Sequence, residues 1–254
     1  VSIAFAPILL SVTPTPAFET TKPMTLRALF KVSPLGCTGM FLLGGVFAAQ
    51  FGMAAVYGAR TGLSIPEISL FVTAFYLGAT VLQFPLGWLS DRMDRRMLIL
   101  MASAMGGAGA LLGMMAGTSF PVLLVAAFLV GGTSNPLYSL LIAYTNDFLD
   151  RDDMASASGG MLFINGLGAI TGPLITGWMM GVFGSPGYFL IIAILMIALS
   201  AYAAYRMTQR RAPPVSETAT YAPISPTATS VAMDVAREHA ISTADAEQER
   251  AKTA

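Results

Sequence analysis

Between two long apolar stretches the chain runs Gly87, Trp88, Leu89, Ser90, Asp91, Arg92, Met93, Asp94, Arg95, Arg96. A carboxylate followed at once by arginine, and again four positions on, can make charge-assisted hydrogen bonds to either guanidinium. It can equally set its negative charge against the positive N-terminus of a neighbouring helix. The other available chemistry is hydrogen bonding by uncharged side chains, chiefly Gln50, Tyr57, Asn135, Tyr138 and Asn165, embedded in apolar sequence. Catalysis has little to work with. The single histidine, His239, lies in a polar stretch near the C-terminus, so neither a Ser/His pair nor a histidine metal site is expected. One cysteine, Cys37, permits no internal disulfide and no cysteine-rich metal centre. There is no Gly-x-x-x-x-Gly-Lys-Ser/Thr phosphate loop and no Thr-Val-Gly-Tyr-Gly filter. No catalytic residue, metal or cofactor is predicted, and the chain is not read as an enzyme.

The elements that position these residues are set by composition. The chain is 55% hydrophobic and 11% charged, with a mean hydropathy of +0.67, against roughly 25% charged residues in a soluble domain. Fourteen basic residues balance fourteen acidic ones, which gives no reason to expect nucleic acid as a partner. The expected partner is a lipid bilayer. Six stretches reach the roughly 20 apolar residues needed to cross one: 36–59, 66–90, 97–117, 119–149, 155–183 and 186–207. The predicted class is therefore all-α and polytopic, with six transmembrane helices. Lys22, Arg27, Lys31, Arg92, Arg95, Arg96, Arg151, Arg206, Arg210 and Arg211 fall on one side of these spans, and Arg60 alone on the other. The excess marks the cytoplasmic side, so both ends of the chain are predicted to be cytoplasmic, in the cell inner (plasma) membrane. Residues 1–11 read as the end of a truncated preceding membrane helix. Residues 12–35 read as a cytoplasmic interdomain loop with a short amphipathic helix near Thr25–Lys31. The bundle occupies 36–207, and 208–254 reads as a disordered cytoplasmic tail.

At helical spacing the polar residues line up. Phe47, Gln50, Ala54 and Tyr57 share a face of the first span, and Thr73, Tyr76, Thr80, Gln83 and Gly87 one of the second. Asn135, Tyr138, Ser139, Ile142 and Asn146 align on the fourth, and Asn165, Gly168, Gly172 and Thr176 on the fifth. The third and sixth spans offer little beyond Ser103 and Ser200 and are expected to face lipid. Four polar faces suggest a central cavity, with Phe47, Gln50, Tyr57, Asn135 and Tyr138 as lining candidates; each residue taken singly could equally join helices. Pro136 follows Asn135 inside a span, where a proline frees a backbone carbonyl. Glycines such as Gly109, Gly113, Gly117, Gly177 and Gly181 are expected to admit close packing. Gly78-Ala79 and Gly87-Trp88 recur 90 residues later as Gly168-Ala169 and Gly177-Trp178. The second span runs outside to inside and the fifth inside to outside, so the two triplets of helices form an inverted repeat.

The 87–96 stretch resembles the signature loop of the major facilitator superfamily: Gly, three residues, Asp-Arg, an aromatic, Gly, Arg, then Arg or Lys. Met93 stands where an aromatic is usual. Asp94 stands where the second glycine is usual, and aspartate tolerates left-handed geometry better than most residues. Tyr144–Leu149 and Ala155–Gly160 resemble the fourth-to-fifth connection of the bacterial YcaD-like branch. The resemblance implies the C-terminal six-helix half of a twelve-helix secondary transporter, partnered by a missing N-terminal half. It would move a small solute by alternating access, with a coupling proton or other ion. It also implies a cytoplasmic gate at Gly87, Asp91, Arg92, Arg95 and Arg96, and a seam between halves at Tyr76, Gln83 and Asn165. A membrane sensor or scaffold on the same helices is the alternative reading.

Overall fold

A computed structural model of the chain describes residues 24–117, 119–150 and 153–209. Within them run α1 (Leu26–Val32), α2 (Pro34–Phe47), a π-helical segment (Ala48–Met53), α3 (Ala54–Arg60), α4 (Ile65–Ser90), α5 (Arg95–Met115), α6 (Phe120–Asn146), α7 (Met154–Phe183) and α8 (Gly187–Gln209). Segments α2 to α3 form one continuous first span. With α4 to α8 they make six helices long and apolar enough to cross a membrane. The expected leading helix end at 1–11 and tail at 208–254 fall outside the described residues, apart from the close of α8.

The helix limits follow from local chemistry. Ser33 accepts from the Gly36 N–H and Pro34 begins α2; Thr25 caps α1 through the Ala28 N–H. At the start of α4, Glu67 accepts from both the Ser64 backbone N–H at 2.8 Å and its hydroxyl at 2.6 Å. Asp94 caps α5, accepting from the Arg96 N–H. Its φ is −57°, so the position usually held by glycine needs no left-handed geometry here. On the opposite side the connections do: Gly62, Gly117 and Gly184 have φ of +79°, +56° and +70°. Gly117 is thus a turn residue, with nothing close to its Cβ position, and not the packing device its spacing suggested.

Packing reveals the repeat. Helix α4 lies along α6 and α7 along α2, while α5 and α8 pack on each other. At the first two crossings backbone meets backbone. A Cβ on Gly78 would strike the Phe128 carbonyl oxygen, and one on Gly168 the Phe41 carbonyl oxygen. Reciprocally, a Cβ on Gly131 would strike the Phe75 carbonyl and one on Gly44 the Asn165 carbonyl. The paired residues differ by 87 between first and fourth spans (Phe41 and Phe128, Gly44 and Gly131) and by 90 between second and fifth (Gly78 and Gly168, Phe75 and Asn165). The inverted repeat read from Gly78 and Gly168 is therefore also a repeat of contacts. The pair Gly177/Gly181 does not behave as expected. Gly181 meets nothing within 4 Å, and Gly177 meets only Met53, at 3.9 Å.

The third and sixth spans bury half of their apolar windows, against 28% for the second and fifth. Their mutual face is made by Gly106 and Gly107 against Met196 and Ile197, and by Gly113 against the Phe189 ring. Substituting Gly78→Ala or Gly168→Ala should destabilise the bundle by about 1–3 kcal/mol or more, since a carbonyl cannot rotate aside as a side chain can. Gly159→Ala and Gly166→Ala, which meet nothing within 4 Å, should be tolerated. The comparison is read from denaturant midpoints in detergent.

Candidate functional site

Two groups of polar side chains stand out, one at the basic end of the bundle and one in mid-span. At the basic end, Arg95 opens α5 and Asp147 closes α6 as its C-cap. Their side chains are 2% and 3% exposed and meet at 2.5 Å. The same Nη1 donates to the Ala143 carbonyl at 3.1 Å, and Nε donates to the Ser90 hydroxyl at 3.3 Å. One guanidinium therefore joins the end of α4, the start of α5 and the last turn of α6, where free carbonyls carry partial negative charge. Next to it Arg96 is held by Asp94, Nη2 to Oδ2 at 2.9 Å. Arg92 folds back over the Trp88 ring, 4.1 Å from its centroid, and donates to the Trp88 carbonyl. Asp91 is the exposed C-cap of α4, and Gly87 is buried one turn before it. Within the loop motif, Arg95 makes a long-range buried contact, with the carboxylate of Asp147. The second hydroxyl link at this end joins Ser33 to Thr145 at 3.0 Å.

In mid-span the first helix widens into π geometry over Ala48–Met53. Such turns displace one residue from the regular ladder and are frequent at functional sites. Gln50 lies on it, fully buried, its Oε1 accepting from the Ser134 hydroxyl of α6 at 2.7 Å. One helical turn from Ser134 stands Tyr138, also fully buried, with Phe47 against its ring at a centroid distance of 6.2 Å. Neither Gln50 Nε2 nor the Tyr138 hydroxyl has a hydrogen-bond partner among the described residues, a costly state for buried polar atoms. From Phe47 the aromatic contacts continue outward through Phe51, at 5.9 Å, to Tyr76 of α4, at 5.1 Å from Phe51. Phe51 and Tyr76 are 37% and 55% exposed.

Several expected positions need correction. Phe47, Gln50, Tyr57 and Tyr138 do not line an open face of this bundle; each is at most 6% exposed. Helical spacing shows that polar residues share a face, but not whether that face meets water or another helix. Tyr57 sits in an aromatic core with Phe71, Tyr188 and Phe189, stacked on Tyr188 at 4.6 Å. Asn135 is half-buried, its amide donating to the Gly131 carbonyl at 3.1 Å. Helix α6 runs unbroken through Pro136, so the irregular turn lies in the first span and not the fourth. Asn165 is 7% exposed and donates to the Met40 carbonyl at 3.0 Å, so it joins the fifth span to the first instead of facing outward. Of the seam candidates, Tyr76 stays exposed and Gln83 half-buried, on the one polar face that the bundle leaves open.

Asp147 is the residue that spacing did not place in the site: it is 52 residues from Arg95, and only the packing of α5 on α6 joins them. Among the described residues no three His, Cys, Asp or Glu side chains cluster as metal ligands. Neutralising one partner of the buried pair, as in Asp147→Asn or Arg95→Gln, should cost about 3–5 kcal/mol, because the other charge stays buried. The double variant should recover part of that loss in a double-mutant cycle of denaturant midpoints.

Comparisons with known proteins agree with this architecture. The chain is 29% identical over 185 residues to the uncharacterized MFS-type transporter YfkF of Bacillus subtilis, covering 70% of this chain and 46% of that protein. It is 22% identical over 177 residues to the uncharacterized MFS-type transporter YcaD of Escherichia fergusonii, covering 69% and 45%. The chain thus spans about half the length of these curated relatives. Among solved structures, an auto-inhibited peptide transporter of the POT family aligns with a TM-score of 0.62 at 18% identity, covering 73% of this chain and 39% of that one. The POT family transporter PepTSo gives the same TM-score over 76% and 39%. These identities speak to fold alone. The family model for the Major Facilitator Superfamily matches residues 35–243, and the chain belongs to that superfamily.

Proposed function

We propose that this chain forms one half of a secondary active transporter, working with a second six-helix bundle around a shared pathway. A small solute would move by alternating access, driven by the gradient of a proton or another ion. The observation that carries this reading is the mid-span break. Two spans meet at a π-helical turn bearing Gln50, beside Ser134 and Tyr138, at a depth where lipid offers polar groups no partner. A chain serving only as a scaffold has no need of unpaired polar atoms there. Support also comes from the transporter relatives and from the open polar face of α4, which carries Tyr76 and Gln83.

The basic end would be cytoplasmic by the excess of Lys and Arg. The Arg95–Asp147 pair then ties α4, α5 and α6 together, and Asp91, exposed at the end of α4, is placed where it would meet the second bundle. Asp91, Arg92 and the end of Gly87's helix would act as the latch, with Arg95 and Arg96 as its positioning residues.

Untargeted comparison of cells and medium, with and without the complete transporter, should reveal a solute whose distribution depends on it. In that assay Asp91→Asn should lower flux about tenfold, as expected for one lost charge-assisted hydrogen bond, with membrane abundance unchanged. Unchanged flux in the variant would remove Asp91 from the gate. A complete transporter that moves no solute would favour a sensor or scaffold.

A further inference from the structure

The mid-span site also carries information about the kind of solute it accepts, an inference that rests on the transport reading only in taking this site as the solute's. Charge is the first discriminator. Among the described residues, Asp, Glu, Lys and Arg inside the six spans are confined to their ends: Arg60, Glu67, Arg95, Arg96 and Arg206. Helices α6 and α7 contain none at all. A charged solute at mid-depth would find no countercharge in this bundle, and an unpaired charge there is costly.

Hydrogen-bonding capacity is the second. The Ser134 hydroxyl engages Gln50 Oε1, which turns Nε2 away from Ser134 with two hydrogens to donate. On the same face of α6, one turn along, the Tyr138 hydroxyl can also donate. Both residues are completely buried and both atoms lack a partner. A structural pair of this kind would normally bond to one another or to a backbone carbonyl. Two unsatisfied donors on facing helices instead fit an acceptor that arrives from outside.

Shape is the third. Phe47 packs against Tyr138 and stacks with Phe51, which stacks with Tyr76. The series runs from the buried donors to the open face of α4, and Gly52, beside Phe51, meets nothing within 4 Å. A planar solute could move along these rings by exchanging one stacking partner for the next.

We propose that Gln50 Nε2 and the Tyr138 hydroxyl form a donor pair for an uncharged planar solute bearing a carbonyl-type acceptor, which would stack on Phe47 in place of the Phe51 ring. Ser134 positions the Gln50 amide. Phe51 and Tyr76 form the cover through which the solute reaches it.

The test uses the full chain in detergent with three matched probes: benzamide, benzoate and benzylammonium. Binding is followed by equilibrium dialysis and by thermal unfolding. Benzamide should bind, and the two charged probes at least about tenfold more weakly. Tyr138→Phe and Gln50→Leu should each weaken benzamide about tenfold, the loss of one hydrogen bond. Because the Tyr138 hydroxyl has no protein partner, Tyr138→Phe should leave the melting temperature without ligand equal or higher, which a structural hydroxyl would not do. Equal binding of a charged probe, wild-type binding by both variants, or no binding by any probe would overturn the proposal. The transport reading fails separately. Benzamide bound by the complete transporter in liposomes but never moved would sink transport and leave the site standing. Flux of benzoate or benzylammonium would keep transport and sink the neutral-solute site.

Discussion

Where the second span crosses the fourth, and where the fifth crosses the first, glycine lets one helix backbone rest directly on another. In lipid the hydrophobic effect does not drive helices together, because the tails are as apolar as the side chains; close van der Waals contact must do so. Gly78 against Phe128 and Gly168 against Phe41 provide that contact twice, with Gly131 and Gly44 completing each crossing from the other side. The rest is arranged around these two seams. They fix α4 on α6 and α7 on the first span, which leaves α5 and α8 to meet across their own glycine-rich face. They also set the register that brings Gln50 opposite Ser134.

Charge and polarity are then partitioned by depth. Ion pairs sit where helices end and carbonyls are free, as Arg95 does between Asp147, Ala143 and Ser90. The interior holds amides and hydroxyls, most of which bond within their own helix: Thr73 to the Ser69 carbonyl, Thr133 to Leu129, Thr176 to Gly172. Those bonds satisfy the side chain without linking helices. The exceptions cross between helices: Asn165 to Met40, Ser200 to Leu100, and Ser134 to Gln50. Only the last of these lies on a widened turn with unpaired donors beside it. That difference is the ground for proposing a site there and joints elsewhere.

Much of the fold was legible in the sequence because bilayer thickness, hydropathy and basic-residue bias all act locally. The six spans follow from short stretches read alone. The repeat was visible in Gly78-Ala79 and Gly168-Ala169, although its meaning as paired crossings needed the packing. The candidate site was less legible. Gln50 and Tyr138 were identifiable by type, but a helical face does not say what it faces, so Tyr57 and Asn165 were assigned outward and proved to be internal. The π-helical turn has no signature in Ala48–Met53 that distinguishes it from regular helix. Asp147 could be matched to Arg95 only through tertiary contact, since the nearer Asp91 was the obvious partner by spacing.

On the proposed reading the break at mid-span borders a watery pathway and not lipid. Cys37 is the one cysteine of this sequence, and it is buried, so a Cys37→Ala background leaves an introduced cysteine as the single thiol of this chain. The decisive comparison is Phe51→Cys, beside the π-helical turn, with Met105→Cys, on the exposed side of the third span. Thiols react as thiolates, which form in water and not in hydrocarbon. A membrane-impermeant thiol reagent should therefore modify position 51 and spare position 105 in intact membranes. Equal protection of the two positions, or preferential labelling at 105, would contradict the account.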